Sequence, residues 1–134
     1  MFLVFNLNIV NIKDLKIYNS AIELEKELYK AISDIPYAWD VEQIKQIRRS
    51  SSSISANIIE GWNRRFYIKD FLRFLYIAMG SSDETQHHLR ILNLKEKINE
   101  TICNKLLNNY KSLSIKILNF INYLRKKYNI NNVI

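Results

Sequence analysis

Residues 17–35 read I-Y-N-S-A-I-E-L-E-K-E-L-Y-K-A-I-S-D-I, and this stretch decides the fold. Ile17, Ala21, Leu24, Leu28, Ala31 and Ile35 recur at spacings of 4, 3, 4, 3 and 4. An α-helix turns once every ~3.6 residues, so this pattern lays one apolar stripe along a helix, whereas a half-buried strand would alternate every second residue. Leu15, Tyr18, Ile22, Tyr29 and Ile32 widen the stripe enough to face a core. The spacing predicts a first helix over about residues 13–34. Pro36 ends it, because the residue before a proline is pushed out of the α region.

Three further segments repeat the pattern. Val41, Ile44, Ile47, Ser51, Ile54 and Ile58 predict a helix over about residues 38–62. It starts either with Pro36 near its first position or with Asp40 as cap and Gln43 three residues on. Gly61 and Asn63 read as its end, since both tolerate the left-handed conformation of a C-terminal cap. Phe71, Leu75, Ala78, Ser82, Thr85, Leu89 and Leu92 predict a helix over about residues 68–96. Gly80 lies inside it, at a cost of about 1 kcal/mol against alanine. Ile102, Leu106, Tyr110, Leu113, Ile117, Phe120 and Leu124 predict the last helix over about residues 100–128, capped by Asn99. Residues Asn129–Ile134 are expected to fray.

Long helices with short connections imply antiparallel neighbours. The expected fold is therefore all-α, an antiparallel up-and-down four-helix bundle, with residues 1–134 as a single domain. Two glycines and one proline among 134 residues are too few for the frequent turns of a sandwich or barrel. A chain of this length buries roughly two-thirds of its unfolded surface and needs no staple. Cys103 is the single cysteine, so neither an intramolecular disulfide nor a C-x-x-C motif is possible. Met1–Val10 is apolar but has no basic start and no small-residue cleavage site, which speaks against a signal peptide. No apolar run approaches the ~18 residues of a membrane span. A cytoplasmic protein with no membrane partner is expected.

The net charge of +7 is unevenly placed. Residues 101–134 hold Lys105, Lys111, Lys116, Arg125, Lys126 and Lys127 and no acidic side chain, whereas residues 1–100 are nearly balanced. A local basic surplus favours an anionic partner, nucleic acid first, although a merely solvated face has the same composition. Lys105, Lys116, Arg125, Lys126 and Lys127 are the leading candidates for phosphate contact. Arg64 and Arg65 come second. They belong to a cluster with Arg48, Arg49, Lys69 and Arg73, interleaved with Trp62, Phe66 and Tyr67. Arginine and aromatic side chains together clamp phosphates and stack bases. The structural alternative has Trp62 and Phe66 plugging the bundle end while the arginines pair with Glu60 and Asp70.

Catalytic signals are weak. The serine run Ser50–Ser53, with Ser55 and Ala56, has no histidine near it in sequence, and an activated nucleophile needs a base within hydrogen-bond reach. Small side chains suit close helix packing instead. These face either the second small patch, Ala78, Gly80, Ser81 and Ser82, or a neighbouring subunit. Glu84 and His87 match one Glu-x-x-His motif, but di-iron bundles use two such motifs and two further glutamates. Asp83 with His87 and Glu84 with His88 are ordinary pairs one helical turn apart. No phosphate loop, dinucleotide fingerprint or zinc spacing occurs. Neither metal, cofactor nor small-molecule substrate is expected.

The stretch Gln46–Gly61, Q-I-R-R-S-S-S-S-I-S-A-N-I-I-E-G, resembles the signature of the 23S rRNA intervening-sequence proteins, roughly Q-I-R-R-A-x-x-S-I-x-x-N-I-A-E-G. The matching family positions include Arg48, Arg49, Ser53, Asn57, Glu60 and Gly61. Phe74, Leu75, Ala78, Gly80, Ser81 and Glu84 match a second motif, F-L-x-x-A-x-G-S-x-x-E, while Ser50 and Ile59 depart from the first. The resemblance implies a four-helix bundle that assembles into a ring, typically a homopentamer, with no defined biochemical activity. It also implies a fold similar to the basic accessory proteins of diversity-generating retroelements, which work with RNA. Together, residues and resemblance point to a non-enzymatic ring-forming bundle that binds RNA or a ribonucleoprotein. The alternative is a protein–protein interaction scaffold with no intrinsic nucleic-acid binding. At similar heights in the helix 2–helix 3 hairpin, Arg48 or Arg49 is expected to pair with Glu84.

Overall fold

The seam of the first segment becomes helix α1, Lys16–Ser33, which buries Ile17, Ala21, Leu24, Leu28 and Ile32. These positions come from a computed structural model that describes residues 11–131. The apolar stretch Met1–Val10 lies outside the described residues. A short 3-10 turn, Ile12–Asp14, leads into α1, and a second, Tyr37–Trp39, follows Pro36. Of the two possible starts of the next helix, the Asp40 cap is the one that forms. Its carboxylate accepts the Gln43 N–H at 3.3 Å and opens α2, Val41–Trp62. Lys95 donates to the same carboxylate at 2.7 Å, which ties the start of α2 to the end of the third helix and holds the Asp40 carboxyl below its usual range.

Helices α3, Ile68–Leu94, and α4, Glu100–Lys127, complete the set, and no strand occurs among the described residues. Asn99 accepts the Ile102 N–H at 3.0 Å and caps α4 as the sequence predicts. The last two helices end without glycine. Glu96 and Asn129 take left-handed φ values of 56° and 54°. The next residue in each case bonds back to the carbonyl five positions earlier, Lys97 to Leu92 at 2.9 Å and Ile130 to Arg125 at 2.8 Å. The tail is thereby held further than expected. Ile130 packs against the core, and the Arg125 guanidinium donates to the carbonyls of Ile130 and Asn131. Residues 132–134 lie outside the described residues.

Helix α3 packs most closely against α2 and α4, and α1 closes the bundle against α2 and α4. The up-and-down order puts the start of α1, the end of α2, the start of α3 and the end of α4 at one end. There the core is aromatic. Trp62 meets Phe71 edge-on at 6.4 Å, and Phe71 meets Phe120 at 5.9 Å. Gly61 lies inside α2 rather than at a left-handed cap, and Asn63 is right-handed as well. Its absent side chain serves contact: a Cβ on Gly61 would sit 2.9 Å from the Phe74 Cβ and 3.2 Å from the Phe71 carbonyl oxygen.

Tyr110 is fully buried, and its hydroxyl makes no hydrogen bond among the described residues. Burial, with Glu25, Glu27 and Tyr29 nearby, pushes this phenol far above its ordinary range. An unpaired buried hydroxyl costs roughly 1–3 kcal/mol. Tyr110→Phe is expected to stabilise the bundle by about 1 kcal/mol, read as a higher urea midpoint with an unchanged slope. A lower midpoint would mean that the hydroxyl is held.

Candidate nucleic-acid interface

Four of the family-signature residues, Arg49, Ser53, Ser81 and Glu84, meet between α2 and α3. Arg49 donates to Glu84 at 2.6 Å, so of the two arginines Arg49 makes the expected pair. Glu84 also reaches His88 at 3.4 Å, and His88 Nδ1 lies 2.6 Å from Gln43 Nε2. Arg48 turns instead toward α1, its guanidinium 6.0 Å from the Tyr29 ring centroid. The two small-residue patches do face each other in part. Ser53 and Ser81 hydroxyls lie 2.9 Å apart, Thr85 donates to Ser50 at 2.9 Å, and Asn57 donates to Ser53 at 2.9 Å. Ser82 faces α4, accepting from Ser114 at 2.8 Å and donating to the Tyr110 carbonyl at 3.1 Å. Asp83 also joins Ser114, at 2.9 Å, instead of His87. Gly80 faces outward, with nothing within 4 Å of where its Cβ would be.

This ladder aligns two helices and offers little chemistry. Ser50, Ser51 and Ser52 donate to carbonyls three residues back within α2. His88 bonds Gln43 and Glu84, not a serine. No group of three His, Cys, Asp or Glu able to hold a metal occurs among the described residues. The Arg49 side chain is 63% exposed, so its pair with Glu84 is worth no more than about 1 kcal/mol.

The helix-4 cations divide into two groups. Lys105 borders a groove shared with Glu27 and Lys30 of α1 and with Asp34 just after it, and Lys116 borders one shared with Glu23. Their charge is therefore set beside acidic α1 side chains. Arg125, Lys126 and Lys127 lie at the aromatic end of the bundle. Arg125 holds the tail and reaches the Tyr76 hydroxyl at 3.4 Å, which joins α4 to α3. Lys126 is exposed, and Lys127 lies 5.8 Å and 5.7 Å from the ring centroids of Tyr123 and Tyr128.

The α2–α3 turn lies at this same end. Arg64 pairs with Glu60 and lies over Phe74 at 5.1 Å, and Arg73 pairs with Asp70 at 3.5 Å. Arg65 sits 4.3 Å from the Trp62 ring and 4.9 Å from the Phe66 ring. Trp62 is buried, as the structural alternative expects, but Phe66 does not plug the bundle. It is 61% exposed and Tyr67 is 74% exposed. The cause is the turn itself: tight bonds from Arg64 to Gly61, Arg65 to Trp62 and Tyr67 to Arg64 carry both rings outward past the last core layer. Lys69 at the start of α3 and Lys13 and Lys16 at the start of α1 lie at this end as well. Lys13 and Lys16 are far from residues 64–73 in sequence, and only the up-and-down topology brings them to the same end of the bundle. The acidic residues at this end are Asp14, Glu60 and Asp70, fewer than the cations around them.

A family model described as 23S rRNA-intervening sequence protein matches residues 13–119 of this chain. The crystal structure of a protein of unknown function from the S23 ribosomal protein family of Bacteroides thetaiotaomicron is also similar. The identity is 27%, the TM-score is 0.69, and the match covers 82% of this chain and 98% of that one. None of the curated proteins matches. No helix among the described residues is long and apolar enough to cross a membrane.

Proposed function

We propose that this chain, which belongs to the 23S rRNA-intervening sequence protein family, is a non-enzymatic helical bundle that binds RNA or a ribonucleoprotein. The contact runs through the basic end of the bundle, and the bundles assemble into a ring. One observation carries the reading: the cations of the α2–α3 turn and of the α4 end lie at the same end of the bundle as two exposed aromatic rings, Phe66 and Tyr67. Lys126, Lys127, Arg64 and Arg65 are its phosphate contacts, joined by Lys69. Arg125 positions the tail beside them. Lys105 and Lys116 contribute less, since Glu23, Glu27 and Asp34 stand across the same seam.

Fluorescence anisotropy with labelled RNA at several salt concentrations tests this. Log affinity is expected to fall linearly with log salt, by ~0.7 units for each phosphate held on a single strand. Absence of binding below about 100 μM at physiological salt overturns the reading. It would favour the scaffold alternative, for which the opposite end of the bundle speaks: Trp39, Leu94 and Ile102 are exposed there.

The ring concerns another face. Gly80 points outward from α3, and Ile77, Ile115 and Leu118 are exposed at a similar height on α3 and α4. Within one chain this glycine only weakens its helix. Close approach of a second copy gives it a purpose. Gly80→Ala is expected to stabilise the isolated bundle by about 0.5–1 kcal/mol. Gly80→Glu is expected to yield monomers in size-exclusion chromatography with light scattering. A Gly80→Glu protein that assembles like the native one excludes this face.

A further inference from the structure

We infer that the RNA held at the basic end is unpaired there, its bases stacking on Phe66 and Tyr67 while the flanking cations hold the phosphates. This rests on the RNA-binding reading and adds the conformation of the ligand. Phe66 and Tyr67 are adjacent and 61% and 74% exposed. They are also positioned. The bonds Arg64 N–H to Gly61 O at 2.9 Å, Arg65 N–H to Trp62 O at 3.1 Å and Tyr67 N–H to Arg64 O at 2.8 Å fix the turn. The Arg65 guanidinium lies against both Trp62 and Phe66 and so links the exposed Phe66 ring to one buried in the core. A ring held this way keeps one face for a further planar group, and a nucleobase is the planar group that comes attached to phosphate.

Pairing decides which RNA can use it. In a duplex both faces of each interior base are covered by its neighbours, and the helix presents phosphates and 2′-hydroxyls instead. Away from a duplex end, only an unpaired base can lie on Phe66 or Tyr67. The cations suit the same ligand. They ring a compact bundle end rather than following one helix face, so a flexible strand can wrap them where a rigid duplex would meet only some. Lys69 and Lys126 make no ion pair among the described residues, so each can meet a phosphate without first breaking a contact. Base–aromatic stacking tolerates any base, so little sequence preference is expected from these two rings alone.

The test uses the full chain and a fluorescein-labelled, unstructured 12-nucleotide RNA, single-stranded or annealed to its complement. The native protein is expected to bind the single strand at least about tenfold more tightly than the duplex. A Phe66→Ala, Tyr67→Ala protein is expected to lose roughly tenfold to a hundredfold on the single strand, with an unchanged salt slope and unchanged duplex affinity. Circular dichroism checks that it keeps its helices. Native preference for the duplex, or full single-strand affinity in the double variant, overturns the inference and leaves the RNA-binding reading standing. No binding of either RNA by the native chain overturns both.

Discussion

Leucine at Gly61 destabilises the bundle by about 3 kcal/mol or more, and alanine by about 1–2 kcal/mol. Both effects run against local propensity, because in a helix interior alanine is better than glycine by about 1 kcal/mol. Contact distance decides the sign. The added Cβ would lie 2.9 Å from the Phe74 Cβ, 3.1 Å from Phe71 Cδ1 and 3.2 Å from the Phe71 carbonyl oxygen. A Cβ and a carbonyl oxygen move only with their backbone, so no rotamer change relieves the clash and α3 itself must shift. Phe71 carries that shift into Trp62 and Phe120, the edge-on pairs that close this end of the core. Urea denaturation followed by circular dichroism reads the loss. An alanine variant as stable as the native chain would mean that α3 yields easily at this contact. The same displacement moves the turn bearing Arg64, Arg65 and Phe66, so the proposed RNA binding should weaken along with stability.

The fold was largely legible because its cause is periodic. Four seams at helical spacing, an Asp40 or Asn99 ahead of each of two seams, and a proline after the first are local signals, and local signals are written in order along the chain. Arg49 and Glu84 were also within reach, since an antiparallel hairpin pairs residues at equal distance from its turn. What stayed hidden depends on which side of a helix faces what. Gly61 reads from sequence as a left-handed cap, and only the position of Phe71 and Phe74 reveals the close contact that it serves instead. Phe66 sits four residues after buried Trp62, yet the tight turn between them rotates it into solvent. Charge read along the chain does not say where charge gathers in space. Residues 101–134 carry no acidic side chain, but Glu23 and Glu27 of α1 and Asp34 at its end share grooves with Lys116 and Lys105 only in the folded bundle. The concentrated charge gathers from distant segments at one end.

That redistribution makes the second large effect specific. Glutamine at Lys69, Lys126 and Lys127 is expected to weaken binding of a single-stranded RNA about 50-fold at ~0.15 M salt, with the salt slope reduced by about 2 units. The figure is the value of three phosphate contacts, each scaling affinity as salt to the power of ~0.7. Glutamine at Lys105 and Lys116 together should cost at most about fourfold, the value of one such contact. All five lysines are exposed, so neither set should change stability by more than about 0.5 kcal/mol. The reverse ranking would mean that RNA runs along the α4 face and that the α1 carboxylates do not oppose it. Assembly into the proposed ring would sharpen the comparison further. In a ring every bundle presents the same end, and a strand long enough to reach two ends engages both at once. The loss then compounds, from about 50-fold for one engaged end to roughly 2,500-fold for two. Lengthening the RNA until the ratio of native to variant affinity jumps by that factor measures the span between neighbouring ends. A ratio that stays constant at every length means that each bundle binds alone.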